Sequence, residues 1–154
     1  MCYIPAMSET LTPSSLRAIA LDFATKYAIG RVRALLVAGS GITLEVPGWE
    51  PSEELPLDRA LPLTLHHLPG HRHTLTLWRR GGDTIVVMNG RLHLYQGYRP
   101  EEVVAPVRLA ALLGAEAMVA TNATGGLDPA LVPGSLVVVS DHLNLQGSNP
   151  LVGE

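Results

Sequence analysis

Apolar positions along the chain follow two rhythms, and the switches between them mark out the elements. Leu16, Ile19, Ala20, Phe23, Ala24 and Tyr27 recur at three- and four-residue intervals, the spacing that lines one face of a helix. Thr12 and Pro13 stand just ahead of them. A threonine accepts from the first unpaired N–H groups, and a proline has a fixed φ that suits the first turn, so the helix is predicted to begin there. A second helical stretch runs over residues 100–113, opened by Pro100, Glu101 and Glu102. Its acidic residues sit in the positive first turn. Val103, Val104, Val107, Ala110, Ala111 and Leu113 form its apolar side, and Gly114 is a natural stop.

Elsewhere the rhythm shortens. Thr74-Leu75-Thr76-Leu77-Trp78 alternates with period two, and Gly81-Gly82-Asp83 turns it back into Thr84-Ile85-Val86-Val87-Met88. This predicts a hairpin. Three further apolar runs read as buried strands: Ala34-Leu35-Leu36-Val37-Ala38, Ala117-Met118-Val119-Ala120-Thr121 and Ser135-Leu136-Val137-Val138-Val139. Strands apolar on both faces, separated by helices, imply an α/β fold with a mixed, partly parallel sheet flanked by helices. Residues 45–62 are rich in Pro and Glu and read as a surface connection. Residues 1–11 read as a loose leader, leaving residues 12–154 as one unit.

Composition adds limits. At 154 residues the chain is about one domain. Hydrophobic residues make up 47% and charged ones only 16%, so much of it should be buried. The formal net charge of −3 provides no basic field for nucleic acid or an anionic membrane. Any phosphate site must be local. Cys2 is the one cysteine, so an internal disulfide and a cysteine zinc site are both excluded. The first ten residues carry no basic residue and no long apolar run, unlike a secretory signal. The expectation is a cytoplasmic protein.

Four polar clusters each follow an apolar strand: Gly39-Ser40-Gly41, Arg91-Leu92-His93, Asn122-Ala123-Thr124-Gly125-Gly126 and Asp141-His142-Leu143-Asn144. In open α/β sheets the ligand crevice lies beyond the carboxyl ends of the strands. Gly39-Ser40-Gly41 reads either as a plain turn or as an anion cradle, where glycines let N–H groups converge and serine adds a hydroxyl. It is no Walker loop, because the lysine is missing. Arg91 and His93 alternate along what reads as an extended segment, so they project to one side, with Tyr95 continuing it and Tyr98 just past Gly97. Arginine brings a planar fork for phosphate; a solvated strand edge is the plainer alternative. The turn at Asn122 to Gly126 reads as a strand exit or as a place where the N–H groups of Ala123 and Thr124 meet a ligand. Asp141 and His142 read as a structural hydrogen-bonded pair. His66, His67, His71 and His73 cluster without interleaved carboxylates, so no metal site is assigned; His71, on a Pro-Gly turn, reads better as a phosphate contact from a mobile loop.

These motifs, in this order, resemble the trimeric purine nucleoside phosphorylases. That family carries a Gly-Ser-Gly turn, a Pro-Gly-His loop, a Gly-Arg-Phe-His-x-Tyr-Glu-Gly-Tyr segment, an Asn-Ala-Ala-Gly-Gly turn and an Asp-His-Ile-Asn-Leu segment. Each has a counterpart here between Ala38 and Leu145. The resemblance implies that Ser40, His71, Arg91, His93 and the backbone N–H of Ala123 bind orthophosphate. It implies that Tyr95 packs near the ribose and that Arg91 and His93 serve catalysis. The implied reaction is reversible phosphorolysis of purine ribo- or deoxyribonucleosides to free base and pentose 1-phosphate. Orthophosphate would be a co-substrate, with no organic cofactor or metal. The implied partners are the nucleoside and orthophosphate, in a homotrimer or a site completed by another polypeptide.

The resemblance covers about the first half of a typical member, so the fold is expected to be nucleoside-phosphorylase-like and incomplete at its C-terminus. Residues that grip the purine belong to the other half, and none is assigned here. Gln96 stands where the family has glutamate, Leu92 where it has phenylalanine and Thr124 where it has a second alanine. Two alternatives stay open: a phosphate-binding remnant without catalysis, and a relative of methylthioadenosine phosphorylase, against which the turn at Asn122 to Gly126 argues.

Overall fold

A computed structural model describes residues 11–39, 41–65 and 72–151. The chain enters through α1 (Pro13–Lys26). Its start is the one that local chemistry dictates: the Ser15 N–H donates to Thr12 Oγ1 at 3.1 Å, and the Thr12 N–H donates to Ser15 Oγ at 3.0 Å. Two free donors are thereby satisfied, a capping box with serine in the reciprocal position. The strands are β1 (Arg31–Ala38), β2 (Glu50–Pro56), β3 (Thr74–Arg80), β4 (Asp83–Asn89) and β5 (Met118–Ala120). A short α2 (Leu57–Ala60) follows β2, and α3 (Pro100–Leu112) crosses from β4 to β5.

The sheet order is β2-β3-β4-β1-β5. β2, β3 and β4 are mutually antiparallel, whereas β1 lies parallel to both β4 and β5. The sheet is therefore mixed, with its parallel part at β4-β1-β5. Leu35, Val37, Leu75, Leu77, Val86 and Met88 share one buried core with Leu16, Phe23 and Leu109 of the helices. The helices α1 and α3 pack against each other over this core. Alternate strand residues fill it because side chains in a strand point to opposite faces in turn.

Three expectations need correction. Residues 45–62 are not merely a surface connection, since they contain β2 and α2. β2 is an edge strand in which only Leu55 is buried. Prolines and carboxylates are tolerated at an edge because one side of the strand makes no ladder, and charge there discourages further pairing. The run around Met118 is not buried: β5 is three residues long, with Met118 and Val119 each 54% exposed. The run from Ser135 to Val139 forms no strand, and Leu136 and Val138 are 99% and 93% exposed. A strand exists through its ladder, and this run has none among the described residues.

Candidate active site

Because β4, β1 and β5 are parallel neighbours, their carboxyl ends open at one edge of the sheet. β1 ends at Ala38 and leads into Gly39, β4 ends at Asn89 and leads through Gly90 to Arg91, and β5 ends at Ala120 and leads into Thr121. The Gly90 N–H donates to the Ala38 carbonyl at 3.3 Å, tying the first two exits together. Gly90 has φ +85, and a Cβ there would lie 1.8 Å from the Arg72 carbonyl oxygen. Glycine is required on both counts, and the close approach sets the direction in which the chain leaves toward Arg91.

Arg91 Nη1 donates to the Thr121 carbonyl at 3.1 Å. Two sequence motifs 30 residues apart thus meet across the end of β1. This is the single hydrogen bond of the Arg91 side chain among the described residues, and it uses one of the five donors in the guanidinium fork. Leu92, which is buried, anchors the segment between Arg91 and His93.

The stretch after Arg91 is not extended as far as Tyr95. Leu94–Gln96 form one 3₁₀ turn, ended by Gly97 at φ +89. Gln96 Oε1 accepts from the His93 N–H at 2.9 Å, which fixes the turn. The His93 and Tyr95 rings consequently stack, with centroids 4.7 Å apart and planes 18° apart. The expectation that these two residues share a side holds, although a turn produces it instead of strand alternation. Tyr95 is 75% exposed. The pair forms one wall of an open groove of about 630 Å³, whose other walls include Val103 and Val104 of α3 together with Asn144 and Gln146.

Ala123 lies two residues beyond Thr121 on an exposed stretch. Ser40 and His71 lie outside the described residues, as do His66 and His67; His73 is buried beside β3. No group of three or more His, Cys, Asp or Glu side chains that could hold a metal occurs among the described residues. Asp141 accepts from the backbone N–H of His142 at 2.8 Å, so their contact is carboxylate to backbone. Asn144 is held locally, donating to the Ser148 carbonyl and accepting from the Gln146 N–H. The sequence reading placed Thr121 at the end of a strand and gave its side chain no role. Its one signal is a hydroxyl at the last position of an apolar run.

The parallel strand ends of this mixed α/β sheet thus gather an arginine, a histidine–tyrosine stack and glycine turns. The phosphorylase superfamily model matches residues 33–154, and the chain belongs to that superfamily. It is 34% identical over 147 residues to purine nucleoside phosphorylase 1 of Geobacillus stearothermophilus, covering 96% of this chain and 52% of that one. It is 38% identical over 138 residues to purine nucleoside phosphorylase of Mycobacterium bovis, covering 89% and 52% respectively. The fold superposes on a crystal structure of Schistosoma mansoni purine nucleoside phosphorylase in complex with acetate, with a TM-score of 0.68, 27% identity, and coverage of 82% of this chain and 46% of the other. It also superposes on a purine nucleoside phosphorylase in complex with ribose-1-phosphate, with a TM-score of 0.67, 28% identity, and coverage of 81% and 46%. The chain spans about half the length of the curated relatives it matches.

Proposed function

We propose that this chain carries the phosphate half-site of a purine nucleoside phosphorylase and acts in the reversible phosphorolysis of purine (deoxy)ribonucleosides. One observation carries the reading: Arg91 joins the Thr121 carbonyl at the shared carboxyl edge of β4, β1 and β5, leaving its remaining donors at the strand ends. The relatives support it, since those named above are purine nucleoside phosphorylases. In this reading Ser40, His71, Arg91, His93 and the Ala123 N–H hold orthophosphate, and Tyr95 packs beside the ribose. Residues 12–154 are then the N-terminal part of one phosphorylase-like domain. The working assembly is a cytoplasmic homotrimer, or a site completed by another polypeptide, and no residue of this chain is assigned to the base. No helix among the described residues is long and apolar enough to cross a membrane.

The chemistry follows from charge. Cleavage of a glycosidic bond passes through an oxocarbenium-like state. An orthophosphate held beneath the sugar stabilises that positive charge and then attacks C1′, while the C–N bond breaks and its electron pair leaves with the base. Arg91 and His93 fix the anion, so the nucleophile arrives positioned.

Two measurements test this. Arg91→Ala should weaken orthophosphate binding by about 1.5–3 kcal/mol, the range for hydrogen bonds to charged groups. Calorimetric titration of both forms reads it, and equal affinity overturns the assignment. With the remainder of the domain supplied, inosine should release hypoxanthine only when phosphate is present. Release at the same rate in phosphate-free buffer would make the protein a hydrolase.

A further inference from the structure

We infer that Thr121 is the positioning residue of the anion site: it locks Arg91 to the ends of β1 and β5. The inference rests on the phosphate-binding reading of Arg91 and adds a residue that reading does not contain. Thr121 uses every polar group it has. Its backbone N–H donates to the Val37 carbonyl at 2.9 Å. Its hydroxyl donates to that same carbonyl at 3.1 Å and accepts from the Gly39 N–H at 3.0 Å. Its own carbonyl accepts from Arg91 Nη1 at 3.1 Å. Only a side chain that both donates and accepts can bridge Val37 and Gly39 in this way.

A second observation points to the same residue. A Cβ at Gly39 would lie 2.6 Å from the Thr121 carbonyl oxygen, the very atom that receives Arg91. Any side chain at position 39 must displace that oxygen. Gly39, Thr121 and Arg91 are therefore one unit: the glycine leaves room for the carbonyl, the hydroxyl pins the peptide, and the carbonyl aims the guanidinium. The consequence is preorganisation. With one guanidinium N–H anchored, the remaining donors are held in place before the anion arrives, and less ordering is left for binding to accomplish.

The test compares Thr121→Val, which keeps the shape and loses the hydroxyl, with Thr121→Ser, which keeps the hydroxyl. Phosphate is titrated into the full 154-residue chain. Thr121→Val should weaken binding by about threefold to tenfold, the scale of one net hydrogen bond, and Thr121→Ser should restore it to within about twofold. In an Arg91→Ala background Thr121→Val should produce no further loss, because residues acting through one contact are not additive. Wild-type affinity in Thr121→Val, or an equal loss in both backgrounds, overturns the inference. A merely stabilising threonine would lower the melting temperature and leave the affinity and its dependence on Arg91 alone. Should the wild-type chain bind no phosphate, the functional reading fails by itself. The positioning is then read from the Arg91 side-chain N–H resonances, which should shift in Thr121→Val and not in Thr121→Ser; unchanged resonances in both overturn it.

Discussion

The run Thr84-Ile85-Val86-Val87-Met88 and the run Ser135-Leu136-Val137-Val138-Val139 are built from the same kind of residues. In the first, every residue is buried, with β3 on one side and β1 on the other. In the second, all five residues are exposed, the four apolar ones from 62% at Val137 to 99% at Leu136, and the backbone forms no ladder. The difference is neighbours, since β propensity measures how well a side chain fits a pleated, half-buried surface and does little in isolation. The contrast extends to whole regions. Residues 11–120 contain the sheet, the helices and the core, while all of residues 122–147 are exposed. The proposed anion site sits on the border, where Thr121 follows β5 and is still bonded to Val37 of β1 and to Gly39 just beyond it.

The comparison breaks most easily in the core. Leu77 is fully buried and Leu75 nearly so. Leu77→Ala should cost about 2–5 kcal/mol, through lost transfer energy and the cavity left behind. Urea denaturation followed by circular dichroism reads it. A loss under about 0.5 kcal/mol, the level of an ordinary surface substitution, would mean that residues 11–120 are no better packed than the exposed stretch.

Gly90→Ala is the next largest. The residue combines a left-handed φ of +85 with a backbone oxygen 1.8 Å from where a Cβ would stand. Strain of about 1–3 kcal/mol is expected from the dihedral alone, with more from the contact. The same denaturation experiment should show it, and phosphate affinity should fall in parallel because Arg91 follows directly. Loss of stability with unchanged affinity would separate the turn from the site.

How much of this was readable from the sequence depends on how local the cause is. The start of α1 was legible because Thr12, Pro13 and Ser15 cap their own helix. The β3–β4 hairpin was legible because alternation and a Gly-Gly turn act within a few residues. β2 was missed because an edge strand has one burial-demanding residue, Leu55, among prolines and carboxylates. The 3₁₀ turn at Leu94–Gln96 was missed because it depends on the Gln96 amide reaching back to the His93 N–H. Arg91 stood out as a candidate by its chemistry, but its meeting with Thr121 depends on β1 lying between β4 and β5, an order that packing decides. Strand exits can be recognised one at a time; which exits are neighbours cannot be read from any of them alone.

The smallest expected effect is the sharpest test of the contrast. Leu136 is 99% exposed, so removing most of its side chain deletes almost no contact. In the 154-residue chain Leu136→Ala should change stability by no more than about 0.5 kcal/mol, against the several kcal/mol of Leu77→Ala. The exposed apolar side chains from Leu127 to Leu145 should instead show themselves in association, since large apolar patches in contact with water favour it. Leu136→Lys should therefore reduce self-association in analytical ultracentrifugation while leaving the denaturation midpoint unchanged. The same two substitutions can be made in a form supplied with the remainder of a phosphorylase domain. If that remainder lays a strand beside residues 135–139, Leu136 becomes a core residue, and Leu136→Ala should then cost about 2–5 kcal/mol. A cost that stays near zero in both forms would mean that these residues remain outside the sheet, and that their likeness to β4 ends at composition.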